Sequence, residues 1–278
     1  MTTKVYCPSV AIIDVHPITA VGIAGQLTEH GFRTAEITAT VESLTAAGDT
    51  VVCDLRLPGR SGPDAVAFLV ERGHRVLATA GAAGPEEILD VIASGARGFI
   101  AKTAPVPLFM RAIRDVTEFS YFMSPELASL ILTDAKLRPL IRNEIGVAER
   151  VVLRQFEKGD TVSEAATALG MPTEAITDTL SVVWAGARAR RALLRPTPRE
   201  RQLMALVAHG CSHKEAAARM SITALTVASY LKSIKGKYLA THPDAPKSIA
   251  PVAAARRWAE EAGAAIPLPW LLPPRLFG

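Results

Sequence analysis

Five short apolar runs, interleaved with amphipathic stretches, constrain this chain more than any other feature. Val10-Ala-Ile-Ile-Asp14, Arg33-Thr-Ala-Glu-Ile37, Thr50-Val-Val-Cys-Asp54, Val76-Leu-Ala-Thr79 and Gly98-Phe-Ile-Ala-Lys102 read as strands. All but the second are nearly all apolar, which suits strands buried on both faces of a parallel sheet. Helices are expected near 17–30, 62–72, 85–95 and 106–119, with Pro17, Pro63 and Pro85 close to helix starts. That order reads as (βα)5, an α/β doubly wound domain. In such sheets ligand chemistry gathers beyond the carboxyl ends of the strands, which here carry Asp14, Asp54, Thr79 and Lys102. Two carboxylates, a hydroxyl and an ammonium at one sheet edge are what a phosphoryl-transfer site needs.

At 278 residues the chain has room for at least two domains, and 49% hydrophobic with 21% charged residues excludes a disordered or collagen-like chain. The absence of an apolar run of membrane-spanning length and of a leader pattern gives the expectation of a soluble, cytoplasmic protein. Cys7, Cys53 and Cys211 have no short spacing, so neither a disulfide framework nor a zinc cluster is indicated. Charge is divided unevenly. Residues 1–125 hold 10 Lys+Arg against 13 Asp+Glu, whereas residues 195–278 hold 12 against 5. An acidic front and a basic rear suggest a sensing part joined to one that meets a polyanion.

The segments Ile13-Asp-Val-His-Pro17, Val52-Cys-Asp-Leu-Arg-Leu-Pro-Gly59, Leu77-Ala-Thr-Ala80 and Gly95-Ala-Arg-Gly-Phe-Ile-Ala-Lys102 resemble the receiver domain of NarL/LuxR-type two-component response regulators. The resemblance implies a flavodoxin-like sheet of five parallel strands, with Asp54 as phosphoacceptor and Asp14, Thr79 and Lys102 around it. It also implies that Phe99 is the switch aromatic, and that a sensor kinase is a partner. Asp14 and Asp54 would hold magnesium. One position departs: Val15 stands where the family usually has a second acid. A magnesium ion needs near-octahedral oxygen ligation, so losing one anionic ligand weakens that site. Two readings follow, a receiver switched by phosphorylation at Asp54 or an atypical one controlled by a small-molecule ligand, a partner or abundance. His16, ahead of Pro17, reads as a helix-entry residue rather than a ligand.

The second half contains an internal repeat. An offset of 51 residues aligns 145–187 with 196–238 without a gap, matching Glu149-Arg150 to Glu200-Arg201, Gly159 to Gly210, Glu164-Ala-Ala166 to Glu215-Ala-Ala217 and Leu180 to Leu231. Each unit reads as three short helices. The second resembles a LuxR-type helix-turn-helix, carried by Thr197-Pro-Arg-Glu-Arg201, Gly210-Cys-Ser-His-Lys-Glu215 and Met220-Ser-Ile-Thr-Ala-Leu-Thr-Val227. The resemblance implies that the helix from Ala224 to Tyr238 enters the major groove of double-stranded DNA while the Ser212 to Met220 helix, with Ser212 and Lys214, braces it over the backbone. Lys232, Lys235 and Lys237 would contact phosphates; Thr226, Ser229 and Tyr230 would approach bases or sugar-phosphate.

The first unit has Asp178, Thr179 and Ser181 where the second has Ser229, Tyr230 and Lys232, which makes it a poor DNA binder. Packing or dimerisation through Trp184, weak backbone contact through Arg188, Arg190 and Arg191, and a helical linker are its open readings. The expected division is a receiver at 1–124, a linker helix at 125–142, a degenerate repeat at 143–194, the DNA-binding domain at 195–240, and a C-terminal helix with a Pro-rich tail at 241–278. Together these give a homodimeric transcription regulator and no enzyme beyond self-phosphorylation. The alternative is a regulator that works through protein contacts with little specific DNA binding.

Overall fold

The computed structural model describes residues 7–45, 48–137, 145–242 and 244–261. The Pro-rich tail lies outside them. Five parallel strands, β1 (Ser9–Ile13), β2 (Arg33–Thr38), β3 (Thr50–Asp54), β4 (Val76–Ala80) and β5 (Gly98–Ala101), form one sheet in the order β2-β1-β3-β4-β5. Every residue of β1, β3 and β4 is buried, while β2 lies at the sheet edge and has only exposed and half-buried residues. The apolar runs and the mixed Arg33–Ile37 run thus differ for a physical reason: an edge strand has one neighbour and water on its other side.

Helices α1 (Pro17–Glu29), α2 (Gly62–Glu71), α3 (Pro85–Ala93) and α4 (Val106–Phe119) follow β1, β3, β4 and β5. The (βα)5 order is one helix short. Among the described residues no helix joins β2 to β3, and Val41, 3% exposed, fills that part of the core from a turn instead. Side chains alternate across β1. Val10 and Ile12 enter a core with Leu27 and Ile113 of α1 and α4, whereas Ala11 and Ile13 enter one with Leu69 and Ile92 of α2 and α3.

Helix α5 (Pro125–Leu137) falls in the expected linker region, with the Ser124 hydroxyl accepting from the Leu127 amide at 3.1 Å. Helices α6 (Val147–Glu157), α7 (Val162–Leu169) and α8 (Thr173–Leu194) form the first repeat; α9 (Pro198–Ala208), α10 (His213–Met220) and α11 (Ala224–Thr241) form the second. All three helices of each start 51 residues apart. The shared punctuation explains this: reciprocal side-chain caps at Thr161–Glu164 and Ser212–Glu215, and left-handed residues at Gly170 and Ser221. A last helix, α12 (Pro251–Glu261), completes the chain described.

The chain divides into two compact units, Met1–Arg191 and Ala192–Gly278. The expected boundaries at 124 and 142 need correction, because α5 to α8 pack into the core on the α2–α3 side of the sheet. Ile13, Leu69 and Ile92 belong to the same buried cluster as Ile131 of α5, Leu153 and Phe156 of α6, and Leu180, Val183 and Trp184 of α8. The stripe Ile176, Leu180, Val183, Trp184 and Ala187 is buried throughout, at helical spacing. The second unit has its own core of Leu203, Met204, Met220, Val227, Leu231 and Ile234, closed by Ala255 and Ala259 of α12.

Candidate functional sites: a carboxylate–lysine pocket and a recognition helix

At the carboxyl end of the sheet the four residues singled out by position converge. Lys102 Nζ lies 2.6 Å from Asp14 Oδ2 and 2.8 Å from Asp54 Oδ2, so one ammonium bridges both carboxylates. Both acids have side chains only 1% exposed. Thr79 is paired with Asp54 in the β3–β4 register, and its hydroxyl is buried with no hydrogen-bond partner among the described residues. Burial alone would lower the Lys102 pKa; the hydrogen bonds and charges of Asp14 and Asp54 outweigh it and hold the ammonium above its ordinary value. Beside the pocket, burial pushes the Cys53 thiol up to about 12, and the neighbouring Asp54 and Asp14 charges add to this.

His16 stands closer to this chemistry than a helix-entry residue needs to. It caps α1, its amide donates to Asp14 Oδ1 at 2.8 Å, and its Nδ1 lies 3.2 Å from the same oxygen. Asp14, His16 and Asp54 offer donor atoms within 4.8 Å of one another. They fit magnesium poorly. Val15 supplies no side-chain oxygen, Lys102 already bridges both carboxylates, and the third donor is an imidazole, which a hard cation disfavours. Phe99 is half-buried against the core shared with α8.

Arg56, two residues beyond Asp54, was not singled out by sequence. Its amide donates to Asp54 Oδ1 at 3.3 Å, while its guanidinium pairs with Glu87 of α3 and donates to the Ala82 carbonyl at 3.2 Å. The Arg at the second position of Leu55-Arg-Leu-Pro was the available signal, but its partner is 31 residues away.

In the second unit, α11 turns Ala224, Leu225, Ala228, Ser229, Lys232 and Ser233 outward at helical spacing. Lys214 on α10 is exposed as well, and Ser212 caps that helix through the Glu215 amide. Thr226 is half-buried, its hydroxyl 2.8 Å from that of Thr223, and Tyr230 is half-buried against the domain core. Lys235 is likewise intermediate. Lys237 departs from the expected phosphate contact. Its Nζ is 2.6 Å from Glu200 Oε2 and donates to the Arg195 carbonyl at 3.2 Å, so it ties α11 to α9 inside the domain. Glu200, 3% exposed, also accepts from the Ser233 hydroxyl at 2.6 Å and the Thr197 amide at 2.7 Å.

The first repeat has lost this lock. At the 51-residue offset Lys237 becomes Gly186, Ser233 becomes Val182 and Lys235 becomes Trp184. Trp184 is buried, donating Nε1–H to the Ala96 carbonyl at 2.6 Å with its ring 4.7 Å from that of Tyr121. The α8 face equivalent to the exposed face of α11, Thr173, Glu174, Thr177, Asp178 and Ser181, lines a cleft of about 520 Å³ together with Arg97, Glu118 and Tyr121. Arg190 and Arg191 do not reach outward to a DNA backbone. Both are 2% exposed; Arg190 pairs with Asp134 at 3.3 Å, and Arg191 with Glu86 at 2.7 Å and Asp90 at 3.1 Å.

Comparison with known proteins bears on both units. Residues 197–243 match the family described as bacterial regulatory proteins, luxR family. That match lies within the C-terminal unit and spans α9, α10 and α11. Over 135 residues the chain is 24% identical to the transcriptional regulatory protein DesR of Bacillus subtilis, an alignment covering 49% of this chain and 64% of that relative, just under two thirds of its length. It is 26% identical over 174 residues to the transcriptional regulatory protein UhpA of Escherichia coli, covering 60% of this chain and 85% of the relative. A LuxR-family two-component response regulator from Aurantimonas is similar in structure, with 24% identity, a TM-score of 0.41, and coverage of 45% of this chain and 94% of that one. The family match is thus confined to the C-terminal unit, and over a longer span the chain is similar to transcriptional regulatory proteins. Among the described residues no helix is long and apolar enough to cross a membrane.

Proposed function

We propose that this LuxR-type protein is a DNA-binding transcription regulator that acts in the cytoplasm as a homodimer, with α11 read into the major groove and α10 laid across the backbone. The observation that carries the reading is the outward face of α11. Ala228 and Ser229 are small enough to let the helix backbone approach base edges, and Lys232, one turn on, is exposed and free to reach a phosphate. The basic excess of residues 195–278 supplies the long-range attraction to a polyanion. Lys214 extends the same electrostatic footprint onto α10.

The α/β body is the regulatory part. Asp54 is the site of control, held with Asp14 by Lys102, beside a Thr79 hydroxyl able to donate to an arriving anionic oxygen. A phosphoryl group, or another anion of that size, would compete with the two carboxylates for Lys102. A sensor kinase or a small anionic ligand is the corresponding partner. With the metal ligands incomplete, this site is expected to accept phosphate slowly, and Val15→Asp to raise the rate.

The test is binding of the full chain to duplexes selected from a random pool, measured by fluorescence anisotropy across a salt series. Lys232→Ala should weaken binding to all sequences alike and reduce the salt slope by about 1, while Ser229→Ala should change the order of preferred sequences. Lys237→Ala should act through stability of the domain instead. A salt-insensitive protein with no preferred sequence would replace this reading with a regulator working through protein contacts.

A further inference from the structure

Helix α8 is built like a recognition helix and used differently, and its contacts define a mechanical path to Asp54. We propose that α8 is the output strut of the receiver: the state of Asp54 is relayed through Arg56 and the first turn of α3 to a buried arginine clamp on α8. This deepens the functional reading above, since it says how the pocket would reach the DNA-binding unit.

The path rests on two adjacent residues of α3. Glu87 faces the pocket side and pairs with Arg56, whose amide donates to Asp54 Oδ1 at 3.3 Å. Glu86, its neighbour, faces the other way and takes Arg191 of α8, with Nη1 at 2.7 Å from its carboxylate and Nη2 at 2.7 Å from its carbonyl. Asp90, one turn on, adds a contact to Arg191 at 3.1 Å. A shift or rotation of this turn that follows Arg56 therefore also moves the partners of Arg191.

The two joints differ in stiffness. The side chain of Arg56 is 55% exposed, so its pair with Glu87 is screened and easily exchanged. The side chain of Arg191 is 2% exposed, and a guanidinium so deeply buried cannot lose its partners without leaving an uncompensated charge. A small change at the soft joint thus meets an element with discrete arrangements rather than a continuous spring. Trp184 and Arg190 hold α8 along the same side, through the Ala96 carbonyl and Asp134. Three residues, Arg195 to Thr197, separate the end of α8 from the start of α9.

Amide hydrogen exchange on the full chain without DNA tests the relay, so failure of DNA recognition cannot be mistaken for failure of the path. Asp54→Asn, which removes the charge that Lys102 and the Arg56 amide share, should speed exchange over Val182–Arg191 by about fivefold. In a Glu87→Gln background the same substitution should change it less than about twofold, because the soft joint is already open. If Asp54→Asn loosens the whole first unit, Arg56→Gln opens the joint from the surface and must give the same local change in α8. Unchanged exchange in α8 with the tested variant, or an equal Asp54→Asn effect with and without Glu87, overturns the proposal.

Discussion

Glu200 and Lys237 show how a residue's role is decided by what it faces. Burial raises the pKa of Glu200, but hydrogen bonds from Lys237, Ser233 and the Thr197 amide prevail and hold the carboxyl below its ordinary value of 4.5. A carboxyl whose folded pKa is depressed contributes stability that is present above the unfolded value and lost as pH falls through the folded one. The second unit is therefore expected to lose stability below about pH 4.5, and Glu200→Gln to flatten that loss while lowering stability at neutral pH by roughly 1–3 kcal/mol, read from urea unfolding at a series of pH values. The sequence marked Glu200 within Pro-Arg-Glu-Arg and marked Lys237 as one of three lysines on a helix. It did not mark them as a pair, because a lysine's spacing along one helix does not say whether its long, flexible stem turns out to solvent or in toward a carboxylate on another. Asp14, Asp54, Thr79 and Lys102 were legible for the opposite reason. Each ends a buried strand, and a parallel sheet must bring such ends together.

Helix α8 carries the same lesson one level up. Its start and apolar stripe are readable from the repeat, and it begins at Thr173 as expected. It runs on to Leu194 rather than stopping at Arg188, since Arg190 and Arg191 are sheltered by carboxylates from α5 and α3. The repeat itself had been compatible with packing, DNA contact or a linker; burial of Trp184 and both arginines identifies packing. Trp184→Ala removes an indole 3% exposed together with its bond to the Ala96 carbonyl, and should destabilise the first unit by about 3–5 kcal/mol in chemical denaturation, with the second unit unaffected. The β2–β3 connection shows where element prediction overreached. The repeated strand–helix alternation suggests a regular (βα)5, but among the described residues between those two strands Val41 is buried and Leu44 half-buried against the core from a non-helical stretch.

Across the whole molecule, the expected five-part division contracts to two units because apolar burial ignores sequence labels. Helices α5 to α8 share the core on the α2–α3 side of the sheet, so urea unfolding followed by circular dichroism should show two steps, one for the α/β body with α5 to α8 and one for α9 to α12; a third step for an independent first repeat would contradict the shared core. What the sequence determined by itself was everything governed by short-range rules. Strand burial, helix starts at Pro and Ser/Thr caps, left-handed stops and the 51-residue repeat all follow from neighbours within a few residues. The LuxR-type resemblance of residues 197–243 lies in that local pattern as well. Only the tertiary structure decided which charges are spent inside. Lys237 on Glu200, Arg191 on Glu86 and Arg56 on Glu87 join residues 37, 105 and 31 positions apart. A long cationic side chain can serve water, phosphate or a buried carboxylate with similar local cost, and the choice is made by whichever partner the packed core brings within about 3 Å.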